Sequence, residues 1–295
     1  MSPQLYSLTR RSALLGTIGT VSLIAAAPRG FAAAGDATAR LASLESKNGG
    51  RLGVAAIDAG NGRRIGHRAD ERFPMCSTFK ALAAALVLAR VDRGEERLDR
   101  RVFFTPSDLV TYSPATEKRV AAGMTVAEIC EAAVTLSDNM AGNLMLASFG
   151  GPVGLTSYAR SLGDEVTRLD RIETALNEAT PGDPRDTTSP AAMLELLRRT
   201  VLGDALSTAS RAQLAAWRVA SKTGDARIRA GFPRDWQVGD KTGTGDHGVA
   251  NDVAVVWPPS RAPLVVAVYY AEADIPATQR NTVIAEAARI VAESL

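Results

Sequence analysis

The sequence contains very few of the side chains that bind transition metals. Its 295 residues include only two histidines and two cysteines. No two histidines have the spacing of a metal-binding motif, which disfavours a zinc hydrolase. A Ser-His-Asp triad would have to use one of the two candidates His67 and His247. Cys76 and Cys130 are too few for a disulfide framework, so we expect both to be buried thiols.

An excess of charge of either sign is also lacking. The chain has 34 basic and 32 acidic residues, and three of the basic ones are arginines within the first 34 positions, where no acidic residue occurs. The remaining near-balance gives no sign of a nucleic-acid-binding protein. No stretch beyond the N-terminus approaches the roughly 20 apolar residues of a membrane span. We therefore expect a soluble mature protein without a stable membrane anchor.

The N-terminus has the pattern of a cleavable export signal. The pair Arg10-Arg11 precedes an uncharged, mostly apolar run over residues 12–27, and the sequence Phe31-Ala-Ala-Ala34 follows. We predict an export signal over residues 1–34 and a periplasmic or secreted mature protein. The adjacent arginines resemble a twin-arginine signal, which carries folded proteins. A general secretory signal with an arginine-rich start is the alternative.

Strand patterns occur towards both ends of the chain and helical patterns between them. Residues 51–58 and 63–67 flank a turn-rich connection and predict a β-hairpin. The pattern is helical over about 77–214 and typical of strands again over 249–257 and 263–270. An amphipathic pattern over 282–295 predicts a closing helix.

Two local signals mark helix starts in the middle region. Thr125 and Glu128 have the spacing of a capping box, which predicts a helix running to Leu136. Ser189 followed by Pro190 predicts the start of another helix.

These elements predict an α/β (α+β) fold with two subdomains. We expect an antiparallel sheet built from both chain termini and flanked by helices, with an all-helical subdomain inserted beside it. The sheet subdomain is expected over about 35–75 and 220–295, and the helical subdomain over about 76–219. A cleft between the two parts is a usual place for a ligand site.

Four short patterns of reactive residues occur in order along the chain. They are Ser77-Thr-Phe-Lys80, Ser137-Asp-Asn139, Glu173-Thr-Ala-Leu-Asn177 and Lys241-Thr-Gly243. The first is expected about once by chance in such a chain, but the other three in this order only about once in several thousand chains. The set resembles the class A β-lactamases within the penicillin-recognising serine hydrolases, and the resemblance extends over essentially the whole mature chain.

Ser77 and Lys80 are the candidate nucleophile and base. Residues three apart on a helix share a face, so we expect the Lys80 amine beside the Ser77 hydroxyl. A lysine acts as a base only if burial or a positive neighbour, such as Lys241, lowers its pKa. The alternatives are that Ser77 is only a helix cap, and that Glu173 takes the proton. The helix start directs N–H groups at a developing oxyanion, and the resemblance adds the Thr244 N–H as the second donor.

The resemblance implies distinct roles for Ser137 and Asn139. Ser137 would pass a proton to the departing lactam nitrogen, and Asn139 would hold the amide side chain of the substrate. By itself, a Ser-Asp-Asn sequence is more often a turn or a helix cap.

The Lys-Thr-Gly pattern is expected to bind the carboxylate shared by penicillins and cephalosporins. Lys241 supplies charge, Thr242 and Thr244 supply hydroxyl donors, and Gly243 lets a ligand approach the backbone. The residue pattern places this segment ahead of a strand that begins near Val249, whereas the resemblance places it on an edge strand of the site. A solvated lysine in a tight turn is the alternative.

Glu173 and Asn177 are the candidates for removing the acyl group. A carboxylate that holds a water, with an amide that orients this water, supplies a general base. The segment resembles the Ω-loop of the family, which implies a closing ion pair between Arg171 and Asp186. The alternative is an exposed glutamate on a polar loop.

Further correspondences with the family concern substrate selection. Tyr112 matches an aromatic residue at the rim of the cleft, with a half-buried surface tyrosine as the alternative. Arg227, rather than Arg229, matches an arginine that some members use near the substrate carboxylate; other members place an arginine at the position of Ala250. A carbapenem-hydrolysing subgroup links the cysteine before the nucleophile to one at the position of Gly245, and this chain has no such partner.

The resemblance as a whole implies hydrolysis of penicillins and cephalosporins through a serine acyl-enzyme, giving antibiotic resistance. It also implies a monomer without metal or cofactor. A cell-wall D-alanyl-D-alanine peptidase shares the serine-lysine chemistry but not the deacylating loop. A penicillin sensor domain, which would acylate and stop, normally needs a membrane segment.

Overall fold

The computed structural model describes residues 29–295, with side chains from residue 35 onward. Of the predicted export signal, residues 1–34, only the backbone of residues 29–34 falls in this range, where it is helical. The rest of the predicted signal lies outside the described residues. Among the described helices, none combines the length and the apolar character needed to cross a membrane.

The described part of the chain alternates helices and strands. The α-helices are α1 (Arg29–Asn48), α2 (Phe79–Asp92), α3 (Val126–Thr135), α4 (Asn139–Ser148), α5 (Gly151–Ser161), α6 (Pro190–Leu197), α7 (Thr208–Val219), α8 (Ile228–Gly231) and α9 (Ala277–Ser294). The strands are β1 (Arg51–Asp58), β2 (Arg64–His67), β3 (Phe73–Pro74), β4 (Arg101–Val102), β5 (Met124–Thr125), β6 (Thr187–Thr188), β7 (Gln237–Thr244), β8 (Ala250–Trp257) and β9 (Leu264–Ala271). Short 3₁₀ or π-helical turns occur at Cys76–Thr78, Pro106–Asp108, Thr116–Lys118, Ala175–Asn177 and Arg198–Leu202.

The main sheet has five antiparallel strands in the order β2-β1-β9-β8-β7. The N-terminal strand β1 pairs with the C-terminal strand β9 along its whole length, so both ends of the chain build one sheet, as predicted. Strand β7 forms one edge of the described sheet and pairs with β8, where Gly243 lies opposite Asn251. The predicted fold class is confirmed.

Both faces of the sheet are buried, because helices pack on either side. Along β8, Val253 and Val255 join the larger core, which contains the buried residues of α2 and α3. Ala254 and Val256, which point the other way, join a second core with α9. Burial on both faces explains why β8 and β9 are nearly continuous in apolar residues.

The local helix signals are confirmed at α3 and α6. The Thr125 hydroxyl accepts a hydrogen bond from the Glu128 N–H, and the Glu128 carboxylate accepts one from the Thr125 N–H. The Ser189 hydroxyl accepts a bond from the third residue after it. The closing helix α9 begins at Ala277, five residues before the predicted start, because its exposed first turn carries no apolar pattern.

Candidate active site

A cleft of about 380 Å³ lies between the edge strand β7 and the helical side of the molecule. It contains most of the residues singled out from the sequence, although they come from distant parts of the chain. Its lining consists of Ser77, Tyr112, Ser137, Asn139, Asn177, Thr223, Arg227, Thr242, Gly243 and Thr244.

Ser77 lies in the short turn Cys76–Thr78 that leads into α2, and Lys80 lies in the first turn of this helix. Their spacing places the Lys80 amine beside the hydroxyl, with Nζ 2.9 Å from Ser77 Oγ. Met75 and Thr78 occupy the N-cap positions of the turn and of α2, so Ser77 is not the helix cap. Its hydroxyl donates instead to Glu173 Oε1, at 3.1 Å.

The Lys80 amine is completely buried among oxygen atoms. It donates to the Ser137 carbonyl at 2.9 Å and to Asn139 Oδ1 at 2.6 Å, and it lies 2.9 Å from Glu173 Oε1. Burial lowers the pKa of Lys80, while the negative charge of Glu173 opposes this shift. The Asn139 amide group donates to the Thr111 carbonyl, so both ends of its side chain are engaged.

Glu173 is held from three directions. Asn177 Nδ2 donates to Glu173 Oε2 at 2.5 Å, and the other carboxylate oxygen faces Ser77 and Lys80. Asn143, which the sequence analysis missed, accepts from the Glu173 N–H and donates to its carbonyl, both at 2.9 Å. Asn143 lies four residues after Asn139 in α4, so the helical spacing was the available signal.

Arg171 and Asp186 lie at the two ends of the loop that carries Glu173. Arg171 Nε donates to Asp186 Oδ2 at 2.6 Å, and Asp186 Oδ1 accepts from the backbone N–H groups of Asp170 and Arg171. Asp186 is only 1% exposed, so these bonds lie in a largely water-free environment.

Lys241 lies within the edge strand β7, as the resemblance implies, and ahead of β8, which begins at Ala250, close to the strand start predicted near Val249. The residue pattern alone did not predict β7 itself. Polar residues and glycines in this segment hide the apolar pattern by which a strand is predicted. The segment is nevertheless buried, because neighbouring elements pack against it. Lys241 Nζ donates to Ser137 Oγ at 2.9 Å and to the Thr242 carbonyl. Burial and, next, the positive charge of Lys80 hold the pKa of Lys241 well below its usual range.

Thr244 presents both its hydroxyl and its N–H at the sheet edge. Gly245 donates to the Val249 carbonyl, so alternate residues of this strand pair bond to β8 and the Thr244 N–H faces away from it. Thr242 Oγ1 lies 2.7 Å from the hydroxyl of Thr223, another cleft residue that the sequence analysis did not single out.

Arg227 reaches the cleft, whereas Arg229 turns away from it. Two Arg227 nitrogens donate to the Gly243 carbonyl, at 2.7 Å, and to Thr244 Oγ1, at 2.8 Å. Its Nε donates to Asn281 of α9, which the sequence analysis also missed. Burial lowers the pKa of Arg227. Arg229 pairs with the buried Asp240 behind the strand.

Tyr112 lies at the rim of the cleft and is 57% exposed.

The cysteines are unpaired and buried, and burial raises the pKa of both thiols. A side chain at Gly245 would meet the Cys76 sulfur, since its Cβ would lie 2.6 Å from Sγ. Within residues 29–295 no cluster of His, Cys, Asp or Glu side chains is arranged to hold a metal ion.

Comparisons with known proteins show which family the chain resembles. The family model described as the β-lactamase enzyme family matches residues 36–295. β-Lactamase AST-1 of Nocardia asteroides is 53% identical over 256 residues, covering 87% of this chain and 83% of that protein. β-Lactamase CTX-M-8 of Citrobacter amalonaticus is 48% identical over 280 residues, covering 95% and 96%.

A solved structure of an ancestral class A β-lactamase (GNCA) has the same fold. Its sequence is 65% identical, the TM-score is 0.87, and the match covers 88% of this chain and all of that chain. The chain therefore belongs to the β-lactamase enzyme family and is a class A serine hydrolase.

Proposed function

We propose that this protein hydrolyses the β-lactam ring of penicillins and cephalosporins through an acyl-enzyme on Ser77, and so confers resistance to these antibiotics. The observation that supports this proposal most directly is that the Ser77 hydroxyl lies within hydrogen-bond distance of two groups that can accept its proton. These are Lys80 Nζ, at 2.9 Å, and Glu173 Oε1, at 3.1 Å.

Acylation begins when Ser77 Oγ attacks the lactam carbonyl carbon and gives its proton to Lys80 or Glu173. The oxyanion is received by the backbone N–H groups of Ser77 and Thr244. The C–N bond then breaks, and the nitrogen takes a proton through Ser137. The bond from Lys241 to the Ser137 hydroxyl directs the oxygen and lets its proton be replaced. The proton taken from Ser77 then restores that of Lys241, so Glu173 is free to accept a proton in deacylation.

Deacylation uses Glu173 as a general base. A water bound to the carboxylate and oriented by Asn177 gives a proton to Glu173 and attacks the ester carbonyl. The ester bond breaks, Ser77 Oγ recovers a proton, and the penicilloic or cephalosporoic acid leaves. Asn143, which fixes the Glu173 backbone, and the Arg171–Asp186 pair, which closes the loop, keep this carboxylate in place.

Substrate binding falls to the edge strand and the rim. The substrate carboxylate is bound by Lys241, the hydroxyls of Thr242 and Thr244, and Arg227, which already contacts Thr244. Gly243 lines the cleft, and its missing side chain makes room for the Met75 carbonyl behind the strand. Asn139 holds the amide side chain of the substrate, and Tyr112 packs against it at the rim.

The setting of this activity is the periplasm or the medium. Export through the signal in residues 1–34, by the twin-arginine route, brings the enzyme to the place where β-lactams meet their cell-wall targets. The enzyme acts there as a monomer on small-molecule substrates, without a membrane anchor.

Time-resolved mass spectrometry with benzylpenicillin tests the reaction. The parent should turn substrate over, Glu173→Ala should accumulate a covalent adduct on Ser77, and Glu165→Ala, an exposed carboxylate near the start of the loop, should behave as the parent. A parent that stays stoichiometrically acylated would favour the sensor or peptidase alternative. A parent that never becomes acylated would refute the site.

A further inference from the structure

We propose that Asn251 is a positioning residue that holds the nucleophile-bearing turn against the sheet. In doing so it sets the separation of the two N–H groups, of Ser77 and Thr244, that receive the oxyanion. This inference rests on the proposed function, because an oxyanion forms only if Ser77 attacks a carbonyl.

The contacts of Asn251 join the sheet to the turn. Asn251 lies in β8, directly opposite Gly243 of β7, and is completely buried. Its Nδ2 donates to the carbonyls of Pro74, at 2.8 Å, and Met75, at 3.2 Å. These two residues immediately precede the turn Cys76–Thr78 that carries the nucleophile. One side-chain amide thus binds the backbone on which the nucleophile is mounted.

The edge strand and this turn approach each other closely, and at Gly243 the contact is with the backbone of Met75. A Cβ at Gly243 would lie 2.7 Å from the Met75 carbonyl oxygen, and one at Gly245 would lie 2.6 Å from Cys76 Sγ. The two oxyanion donors are therefore on segments in direct backbone contact. A displacement of the turn relative to the strand changes the geometry of the donors without changing either donor.

The orientation of the Asn251 amide follows from its two acceptors. The reversed amide would direct Oδ1 at two carbonyl oxygens, so Nδ2 must face them. Oδ1 is buried and has no hydrogen-bond partner within the described residues. A buried acceptor without a partner is unfavourable, so we attribute the presence of an asparagine at this position to the two bonds that its Nδ2 donates.

The neighbouring strand offers a matched control. Tyr269 of β9 lies opposite Asn251, is equally buried, and places its hydroxyl 3.2 Å from Thr78 Oγ1. Thr78 Oγ1 itself donates to the Met75 carbonyl at 2.8 Å. Tyr269→Phe therefore removes a buried hydrogen bond to the same turn but leaves the bonds from Asn251 to the Pro74 and Met75 carbonyls intact.

The experiment compares Asn251→Ala, Asn251→Ser and Tyr269→Phe with the parent. Rates of acylation and deacylation with benzylpenicillin are measured separately, together with inhibition by an arylboronic acid, whose tetrahedral adduct on Ser77 places an oxygen between the two donors. Both Asn251 variants should lose about 10- to 100-fold in both rates and in boronate affinity. KM should change little, because KM depends on the ratio of the acylation and deacylation rates, and equal losses leave this ratio unchanged. Tyr269→Phe should stay within about threefold of the parent.

Several results would overturn the inference. They are unchanged boronate affinity in the Asn251 variants, loss in only one of the two steps, and an equal loss in Tyr269→Phe. If Asn251→Ala does not fold, Asn251→Ser is judged by the same criteria; failure of both to fold would assign Asn251 to folding instead. A parent without turnover refutes the proposed function, whereas an active parent with unaffected Asn251 variants refutes this inference alone.

Discussion

Charged side chains that are normally exposed are buried around the edge strand. Lys80, Lys241, Arg218, Asp240 and Asp252 are all completely buried. Burying a charge is costly unless a partner or a proton compensates it. Burial lowers the pKa of both lysines, which suits groups that exchange protons with Ser77 and Ser137.

Asp252 is expected to make the stability of the protein depend on pH. Burial, together with the negative charge of Asp240, raises the pKa of Asp252 from 3.8 to about 8. The folded state thus retains a proton that the unfolded state loses as the pH rises from about 4 to about 8, so stability falls over this window. Asp252→Asn should remove up to about 1.4 kcal/mol per pH unit of this slope, as measured by urea unfolding at several pH values.

The matched control for that measurement is Asp225→Asn, because the Asp225 side chain is 80% exposed. Its stability curve should run parallel to that of the parent. If the stability curve of Asp252→Asn also ran parallel to that of the parent, Asp252 would be ionised in the folded protein throughout this pH range, which would contradict the prediction.

Two elements next to the site, helix α3 and the loop that carries Glu173, are fixed at their ends by a small number of side-chain contacts. The capping box orders the start of α3, which is followed within a few residues by Ser137. The loop from Arg171 to Asp186 has little regular structure of its own, and its two ends are joined through the Asp186 carboxylate. Changes at these contacts are therefore expected to affect the site without touching it.

Thr125→Ala should destabilise the protein by about 1 kcal/mol, the usual cost of losing a helix N-cap. The loss removes the acceptor for the Glu128 N–H. Thr282→Ala is the matched control, because this exposed hydroxyl only bonds the Thr278 carbonyl within α9, and a change below about 0.5 kcal/mol is expected. Urea midpoints that differ equally from the parent would contradict the capping role.

Asp186→Asn should slow deacylation more than acylation. The new amide would direct a donor at the Arg171 guanidinium and remove a hydrogen-bonded charge pair, at a cost of about 1–3 kcal/mol. Looser loop ends allow Glu173 to move, so acyl-enzyme should accumulate in stopped-flow and mass measurements. Asp183→Asn, which breaks the more open pair with Arg185, should have a smaller effect. Equal behaviour of the two variants would argue against a special role for the buried pair.

At the scale of the whole molecule, the two ends of the chain depend on each other. The N-terminal strand β1 lies between β2 and the C-terminal strand β9, and α9 covers one face of the sheet. The cleft depends on this arrangement because β7, its edge strand, is held by β8, which in turn is held by β9. The helical middle of the chain supplies the opposite wall.

Removal of α9, residues 277–295, should abolish the folded state. Val283, Ile284, Ile290 and Val291 are buried in the core beneath it and contribute together roughly 6–12 kcal/mol, which is comparable to the entire stability of a typical domain. Far-UV circular dichroism and protease resistance measure the outcome, with the exposed substitution Arg289→Ala as the control. Cooperative unfolding of the truncated chain would show that the sheet is stable without this helix.

The sequence by itself determined the features that depend on neighbours along the chain. The hairpin of β1 and β2, the capped starts of α3 and α6, and the spacing of Ser77 and Lys80 follow from side-chain period and hydrogen bonding within a few residues. The four ordered motifs also identified the family, because their joint occurrence by chance is rare.

Only the tertiary structure decided how distant residues meet. Strand β7 was hidden in a polar, glycine-containing segment, because its burial comes from elements that fold against it. Helical spacing places Asn143 on the same face as Asn139, but the sequence does not reveal the partners of Asn143 or Asn251, because these lie 30 residues and about 176 residues away. An asparagine reveals its role only when its acceptors are known, and that is a property of packing across the whole chain.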